Sequence, residues 1–129
     1  MISVERTDFV GIPTRDLERS ERFYEDVLGL RRNPNATPGW PEFETGNVTL
    51  LLTDVAKTGQ TFAPNVGAVA LRVPDVAAAM ERLRAAGVEF ENEEPYDSSV
   101  CHMAFFTDPD GNALVLHHRY APYRDGREP

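Results

Sequence analysis

The feature that most constrains the fold of this chain is an internal repeat. Residues 9–16 and 68–75 are both short apolar segments that end in an aspartate, and each aspartate opens an amphipathic stretch closed by a glycine, Gly29 or Gly87. Each copy then runs on to a Gly-Asn turn followed by a further apolar segment. Two copies of this length fit neither a solenoid nor a propeller, which need more and shorter repeats. The repeat predicts two equivalent βαβββ modules.

Hydrophobic periodicity places the elements of the first module. A strand is predicted over Asp8–Thr14, and Asp16 is the expected N-cap of a helix that ends at Gly29. Residues 33–41 hold three prolines and a glycine, which predicts a loop. Two further strands, near Glu42–Glu44 and Val48–Thr53, are expected to form a hairpin about the first Gly-Asn turn.

The second module repeats this plan. Its helix is expected to begin at Asp75, with Val76, Met80 and Leu83 facing inward. The predicted strands of this module are 66–73, 88–91, 101–107 and 113–120. The chain is thus expected to be α+β and a single domain over 1–129, with module 1 at 7–54, a linker at 55–65, module 2 at 66–120 and a polar tail at 121–129.

Charge and composition exclude several classes of partner. The net charge of −8 and the pI near 4.8 argue against a nucleic-acid partner, which requires a basic face. No apolar run approaches the ~20 residues that a membrane helix needs, and the charged N-terminus does not resemble a signal peptide. The single cysteine, Cys101, cannot form an intrachain disulfide. We therefore expect a cytoplasmic protein without nucleic-acid or membrane partners.

Two segments carry a family resemblance. The Asp16–Leu30 segment, with its Phe-Tyr and Leu-Gly pairs, and the Phe106–Asn112 segment, with its Asp-Pro-Asp-Gly-Asn turn, resemble the vicinal oxygen chelate superfamily. That superfamily includes glyoxalase I, extradiol dioxygenases, fosfomycin-resistance transferases and bleomycin-binding proteins. The resemblance covers nearly the whole chain, from about Thr7 to His118. It implies paired βαβββ modules that form a curled mixed sheet with a concave cup, and it leaves function open because one scaffold hosts many activities.

The resemblance also implies four positions for metal ligands, on the first and last strand of each module. Counting from the capping aspartates and the turn glycines places them at Phe9, Ala68, Leu50 and Val115. All four side chains are apolar and offer no donor to a metal. We therefore expect neither a metal in the cup nor any other cofactor.

The expected function is binding of a small apolar or aromatic molecule in this metal-free cup. Period-two alternation and pairing across the last hairpin give the candidate ligand-binding residues. These are Phe9, Gly11, Leu50, Leu52, Ala68, Ala70, Arg72, Met103, Phe105, Val115 and His117. The alternatives are a lyase, isomerase or dioxygenase-type enzyme that uses His117 as an acid–base group or a relocated metal site, and a partner domain whose cup is filled.

The remaining candidates are weaker. His102 and His118 are expected to be cross-strand neighbours on the convex side, and two histidines alone do not make a metal site. Cys101 is expected to be buried and inert. Arg124 is a second possible anchor for an anionic group beside Arg72. A homodimer is also expected, with Phe62, Tyr120 and Tyr123 as candidate interface aromatics.

Overall fold

The computed structural model describes residues 1–129 and divides them into two compact units, Met1–Asn65 and Val66–Pro129. Each unit contains one four-stranded mixed sheet, and its longest helix packs on one side of that sheet. The two sheets share one topology: the first strand is parallel to the last, and the last continues antiparallel to the third. No helix in the structure has the length and apolar character needed to cross a membrane.

The first unit follows the predicted element order with two additions. Its strands are β1 (Phe9–Thr14), β2 (Arg31–Arg32), β3 (Glu42–Glu44) and β4 (Thr49–Asp54), in the sheet order β1-β4-β3-β2. Its helices are α1 (Leu17–Arg22), which continues as a π-helical turn over Phe23–Val27, and the short α2 (Val55–Thr58). Strand β2 lies between the predicted helix end at Gly29 and the predicted loop at 33–41, and α2 lies in the predicted linker at 55–65.

Helix α1 begins where the sequence predicts, since the Asp16 carboxylate accepts a hydrogen bond from the Arg19 amide at 3.1 Å. The regular helix is shorter than expected and ends in the π-helical turn, two residues before Gly29, whose φ is +71°. The helical segment buries Phe23 and Tyr24 against the sheet. Tyr24 packs on Phe43, with ring centroids 6.0 Å apart.

The second unit contains the longer helix and the longer strands. Its elements are β5 (Val69–Arg72), α3 (Val76–Ala85), β6 (Tyr96–Asp97), β7 (Cys101–Thr107) and β8 (Ala113–Arg119), with the sheet order β5-β8-β7-β6. Asp75 caps α3 by accepting from the Ala78 amide at 3.0 Å. Val76, Met80 and Leu83 are buried, so the predicted inward face of this helix is confirmed.

The predicted strand near Val88–Glu91 is wrong, because the fourth strand of this sheet is β6. The edge of β7 at Phe105 is instead occupied by Glu91, whose amide donates to the Phe105 carbonyl at 2.9 Å, and by the side chain of Asn92. Its Oδ1 accepts from the Phe105 amide at 3.0 Å, and its Nδ2 donates to the Met103 carbonyl at 3.2 Å. These side-chain bonds satisfy backbone groups that a neighbouring strand would otherwise pair with.

The turn between β7 and β8 explains why the Asp-Pro-Asp-Gly-Asn motif needs its first aspartate. Asp108 is buried, and its Oδ1 accepts from the amides of Asp110 and Asn112, each at 2.9 Å. Its Oδ2 accepts from the Asn112 side-chain amide at 2.8 Å. A carboxylate that accepts three hydrogen bonds holds the turn closed and fixes where β8 begins.

Candidate functional site

Each sheet has a face covered by helix and an open face, and the register of the first unit shows which residues lie on each. Ile12 pairs with Leu52 and both are buried, whereas Phe9 pairs with Thr49 and remains 57% exposed. Because alternate residues of a strand point to opposite faces, the open face carries Phe9 and Gly11 of β1. On β4 the same face carries Thr49, Leu51 and Thr53.

The prediction that Leu50 and Leu52 share the face of Phe9 is therefore wrong. Both are 0% exposed and belong to the core beneath α1. The error arises because the turn glycine lies at a different distance from the following strand in each unit. Three positions separate Gly46 from the first paired residue of its strand, Thr49, whereas only two separate Gly111 from Ala113. Counting from the glycine thus shifts the first-unit position by one residue, which is enough to exchange the two faces of a strand.

A pocket of about 330 Å³ lies on the open face of the first unit. Its floor is formed by Phe9, Leu51 and Glu42, of which the last two are register partners across β4 and β3. Thr37 and Trp40 of the 33–41 loop form the rest of the lining. The sequence identified only Phe9 among these five. Trp40 could have been found as the only tryptophan of the chain, placed in a loop that leads directly into a sheet strand.

The loop that carries Trp40 is held in place by polar contacts. The Trp40 amide donates to the Thr37 carbonyl at 2.9 Å, which closes a turn, and Lys57 of α2 donates through Nζ to the Gly39 carbonyl at 2.9 Å. The same ammonium lies 6.0 Å from the centre of the Trp40 ring. The unpredicted helix α2 therefore has a definite role, since it anchors one wall of the pocket.

The open face of the second unit carries the remaining predicted residues in ordered rows. In one row Met103, His117 and Arg72 are register partners across β7, β8 and β5. In the next row Phe105, Val115 and Ala70 are partners in the same way. Ala68 precedes β5 and is exposed. The sheet thus presents an apolar row beside a row that ends in an imidazole and a guanidinium.

His117 lies in a locally positive environment. Burial lowers the pKa of His117 from its ordinary value of 6.5, and the positive charges of Arg72, His118 and Arg119 lower it further. The imidazole is consequently neutral at pH 7 and can accept or donate a proton or a hydrogen bond.

The other two histidines lie on the helix-covered side of the same sheet, where the register pairs His102 with His118. His118 Nδ1 donates to the Val73 carbonyl at 3.0 Å, and His102 Nε2 lies 3.6 Å from an Asp97 oxygen. The Tyr120 hydroxyl donates to Asp97 at 2.7 Å, which lowers the pKa of that carboxyl and raises the pKa of the phenol. These four side chains line a cleft of about 500 Å³ beside the start of α3.

The structure also gives the positions that correspond to the implied metal ligands. Phe9 and Ala68 each precede their capping aspartate by seven residues, and the register makes Leu51, rather than Leu50, the counterpart of Val115. The corrected set, Phe9, Leu51, Ala68 and Val115, is again wholly hydrocarbon. No group of three or more His, Cys, Asp or Glu side chains anywhere in the chain is placed to hold a metal ion. These residues do not fit a metal centre.

Cys101 is buried, as expected, and its thiol contacts Ser98 Oγ at 2.9 Å. Its register partner is Arg119, one row beyond His117. The thiol is therefore engaged locally, and the structure does not pair it with His117.

Comparison with known proteins agrees with this architecture. The family model described as the Glyoxalase/Bleomycin resistance protein/Dioxygenase superfamily matches residues 6–116. The chain belongs to this superfamily. A superfamily relative from Vibrio parahaemolyticus, named "Probable lactoylglutathione lyase", is 32% identical over 112 residues, which cover 78% of this chain and 81% of the relative.

Solved structures show the same fold. A glyoxalase/bleomycin resistance protein/dioxygenase from Nocardioides superposes with a TM-score of 0.71 at 28% identity, covering 92% of this chain and 86% of the other. TnmS3, described as an antibiotic binding protein from Streptomyces sp. CB03234, superposes with a TM-score of 0.76 at 23% identity, covering 92% and 99%. At that identity the second likeness supports the fold alone.

Proposed function

We propose that this protein binds a small apolar or aromatic molecule without the help of a metal ion. The observation that carries the proposal is the pocket on the open face of the first unit, walled by Phe9, Leu51 and Trp40. Apolar and aromatic walls with few polar groups are typical of small-molecule sites. Glu42 supplies one carboxylate there, positioned by a 3.3 Å hydrogen bond from Asn33 Nδ2, as an acceptor for a ligand hydroxyl or amine.

The curated relatives are named lactoylglutathione lyases, which favours a different activity, the cleavage of lactoylglutathione. In this superfamily that activity depends on a metal. The hydrocarbon side chains at the four corresponding positions, Phe9, Leu51, Ala68 and Val115, argue against it in this chain. Solved structures with this fold include one described as an antibiotic binding protein, so the fold also serves binding. The chemistry of the residues therefore favours binding over metal-dependent catalysis.

The experiment is a binding screen with uncharged aromatic probes, beginning with benzyl alcohol. A ligand that binds the folded state alone raises the melting temperature, and a chain with a single tryptophan gives one indole N–H resonance that reports on the pocket. We expect benzyl alcohol to shift the Trp40 resonance. Phe9→Ala should weaken binding about tenfold, corresponding to roughly 1.4 kcal/mol of lost contact.

The matched control is Val66→Ala, which trims an apolar side chain that is 90% exposed and lies outside the pocket. This variant should bind as the parent does. If no uncharged aromatic probe moves the Trp40 resonance, or if both variants lose affinity equally, the proposed binding site is wrong.

A second candidate function is acid–base catalysis by His117 on an organic substrate. It is favoured by the lowered pKa of this side chain, because a base that is neutral at pH 7 can take up a proton. His117→Ala separates the two functions. An enzyme loses turnover of its substrate, assayed first on lactoylglutathione, whereas a binder retains affinity for benzyl alcohol at the Trp40 pocket.

We also propose that the protein is a homodimer in the cytoplasm. Support for the dimer comes from Tyr120 and Tyr123, which are 42% and 40% exposed, since exposed aromatic side chains are enriched at interfaces. A lone buried thiol, Cys101, suits a reducing compartment. Light scattering at micromolar concentration tests the dimer, and a monomer mass would contradict it.

A further inference from the structure

The open face of the second unit carries two arginine side chains that no carboxylate neutralises. Arg72 and Arg119 form no ion pair with any carboxylate, although the chain has 21 acidic and 13 basic side chains. Arg32, by contrast, forms ion pairs with Glu21 and Glu25. Two arginines on one face, both without a carboxylate partner, are suited to bind an anion from outside the chain.

Backbone contacts hold these arginines close to one another. The Arg72 guanidinium reaches the Arg119 carbonyl through both Nη atoms, each at 3.4 Å. The Arg119 guanidinium donates to the Pro122 carbonyl at 3.1 Å and stacks 4.7 Å from the Tyr123 ring centre. Its Nε is buried without a hydrogen-bond partner. A buried donor left unpaired costs free energy, which an incoming acceptor would recover.

The apolar row next to His117 and Arg72 indicates what the uncharged part of the ligand would be. Arg72 and His117 belong to one row, and the row two residues away consists of Ala70, Val115 and Phe105. Residues two apart along a strand are separated by roughly 7 Å, which is about the length of a benzene ring with one substituent. A molecule with a charged group on the first row would therefore lay a ring on the second.

We propose that the open face of the second unit binds the oxyanion of an aromatic ligand, a carboxylate or a phosphate, through Arg72, Arg119 and His117, with the ring on the apolar row. This inference rests on the proposed function and extends it, because it specifies that one class of the ligands is negatively charged. The guanidinium groups supply paired N–H donors that match an oxyanion. On this face the neighbours of His117 are Arg72 from β5, Arg119 from β8 and the thioether of Met103 from β7, and His118 acts on it electrostatically from the opposite face. No carboxylate competes there.

The test compares three probes of nearly equal size: benzoate, phenyl phosphate and the uncharged benzyl alcohol. Titrations at constant ionic strength follow the imidazole resonance of His117 and, separately, the indole resonance of Trp40. We expect at least one of the two anions to bind about tenfold more tightly than benzyl alcohol at the His117 face and to shift that imidazole. Which anion does so identifies the preferred oxyanion.

Arg72→Gln should remove that preference for the anion, and Arg119→Gln should weaken it. Arg82→Gln, an exposed arginine of α3, is the control of equal charge change and should retain it. Equal affinity for anions and benzyl alcohol, or equal losses in Arg72→Gln and Arg82→Gln, would overturn the oxyanion site. The Trp40 resonance separates the two proposals, since its response to benzyl alcohol concerns only the pocket of the first unit.

Discussion

Leu50 and Leu51 are identical side chains at neighbouring positions on opposite faces of β4, so alanine at each position separates core packing from pocket lining. Leu50 is 0% exposed and is the register partner of the equally buried Phe43, which packs on Tyr24. Truncation of a buried leucine costs about 2–5 kcal/mol, depending on how far the cavity collapses. Rigid aromatic neighbours limit collapse, so we expect about 3 kcal/mol for Leu50→Ala.

That loss converts into a large thermal shift. A chain of this size loses roughly 4 °C of melting temperature per kcal/mol, so Leu50→Ala should melt about 12 °C lower than the parent. Leu51 is half-buried and lines the pocket, so Leu51→Ala should cost less than about 1 kcal/mol of folding free energy. The same substitution should weaken benzyl alcohol binding about fivefold, because it removes part of the pocket floor.

Urea denaturation followed by circular dichroism measures the first effect, and calorimetric titration measures the second. Leu50→Ala is expected to bind normally at temperatures where it remains folded. Comparable destabilisation by the two variants, or weaker binding in Leu50→Ala than in Leu51→Ala, would refute the assignment of the two faces.

Three further predictions concern the second unit. Asp75→Ala removes the N-cap bond to Ala78 and should destabilise the protein by about 1 kcal/mol in urea denaturation. An unchanged denaturation midpoint would show that this cap does not stabilise α3. Asp108→Ala leaves the amides that donate to this buried carboxylate, including that of Asn112, without their acceptor. The free energy of unfolding should fall by about 3 kcal/mol in the same assay, and a loss below about 1 kcal/mol would contradict this prediction. Because the pKa of His117 is lower in the folded state than the unfolded value near 6.5, the stability that depends on its neutral form is present above pH 6.5. That stability falls as the pH drops from 6.5 through the folded pKa, and unfolding curves of His117→Gln should lack this part of the pH dependence.

The repeat made most of the architecture predictable. Asp16 and Asp75 were identified as caps from one rule, and both accept the expected amide bond. The paired strand–helix–strand order followed from the same alignment, and the superfamily match confirms the fold. Hydrophobic periodicity could not predict which residues pair with the exposed edge of β7. One backbone bond from Glu91 and the side-chain bonds of Asn92 occupy that edge, and side-chain bonds leave no pattern in hydrophobicity.

The site was less predictable than the fold, for a similar reason. Strand alternation found Phe9, but it could not find Trp40, because a loop side chain has no period and is positioned by contacts distant in sequence, such as that of Lys57 with the Gly39 carbonyl. Alternation also cannot choose between faces within a run of three leucines, and there the distance from the turn glycine misled the assignment. The first-unit pocket thus depends on tertiary contacts that a single sequence does not display.

The run of leucines at 50–52 has a consequence for how β4 keeps its register. If the strand slipped by one residue, a leucine would still fill one core position, so leucine alone does not oppose the slip. The flanking threonines do, because a slip would turn Thr49 and Thr53 towards the core. Thr49 now donates to Glu44 at 2.9 Å on the open face, and burial would separate its hydroxyl from that carboxylate. Two small polar residues, rather than the three large apolar ones, thus determine which leucine faces the pocket.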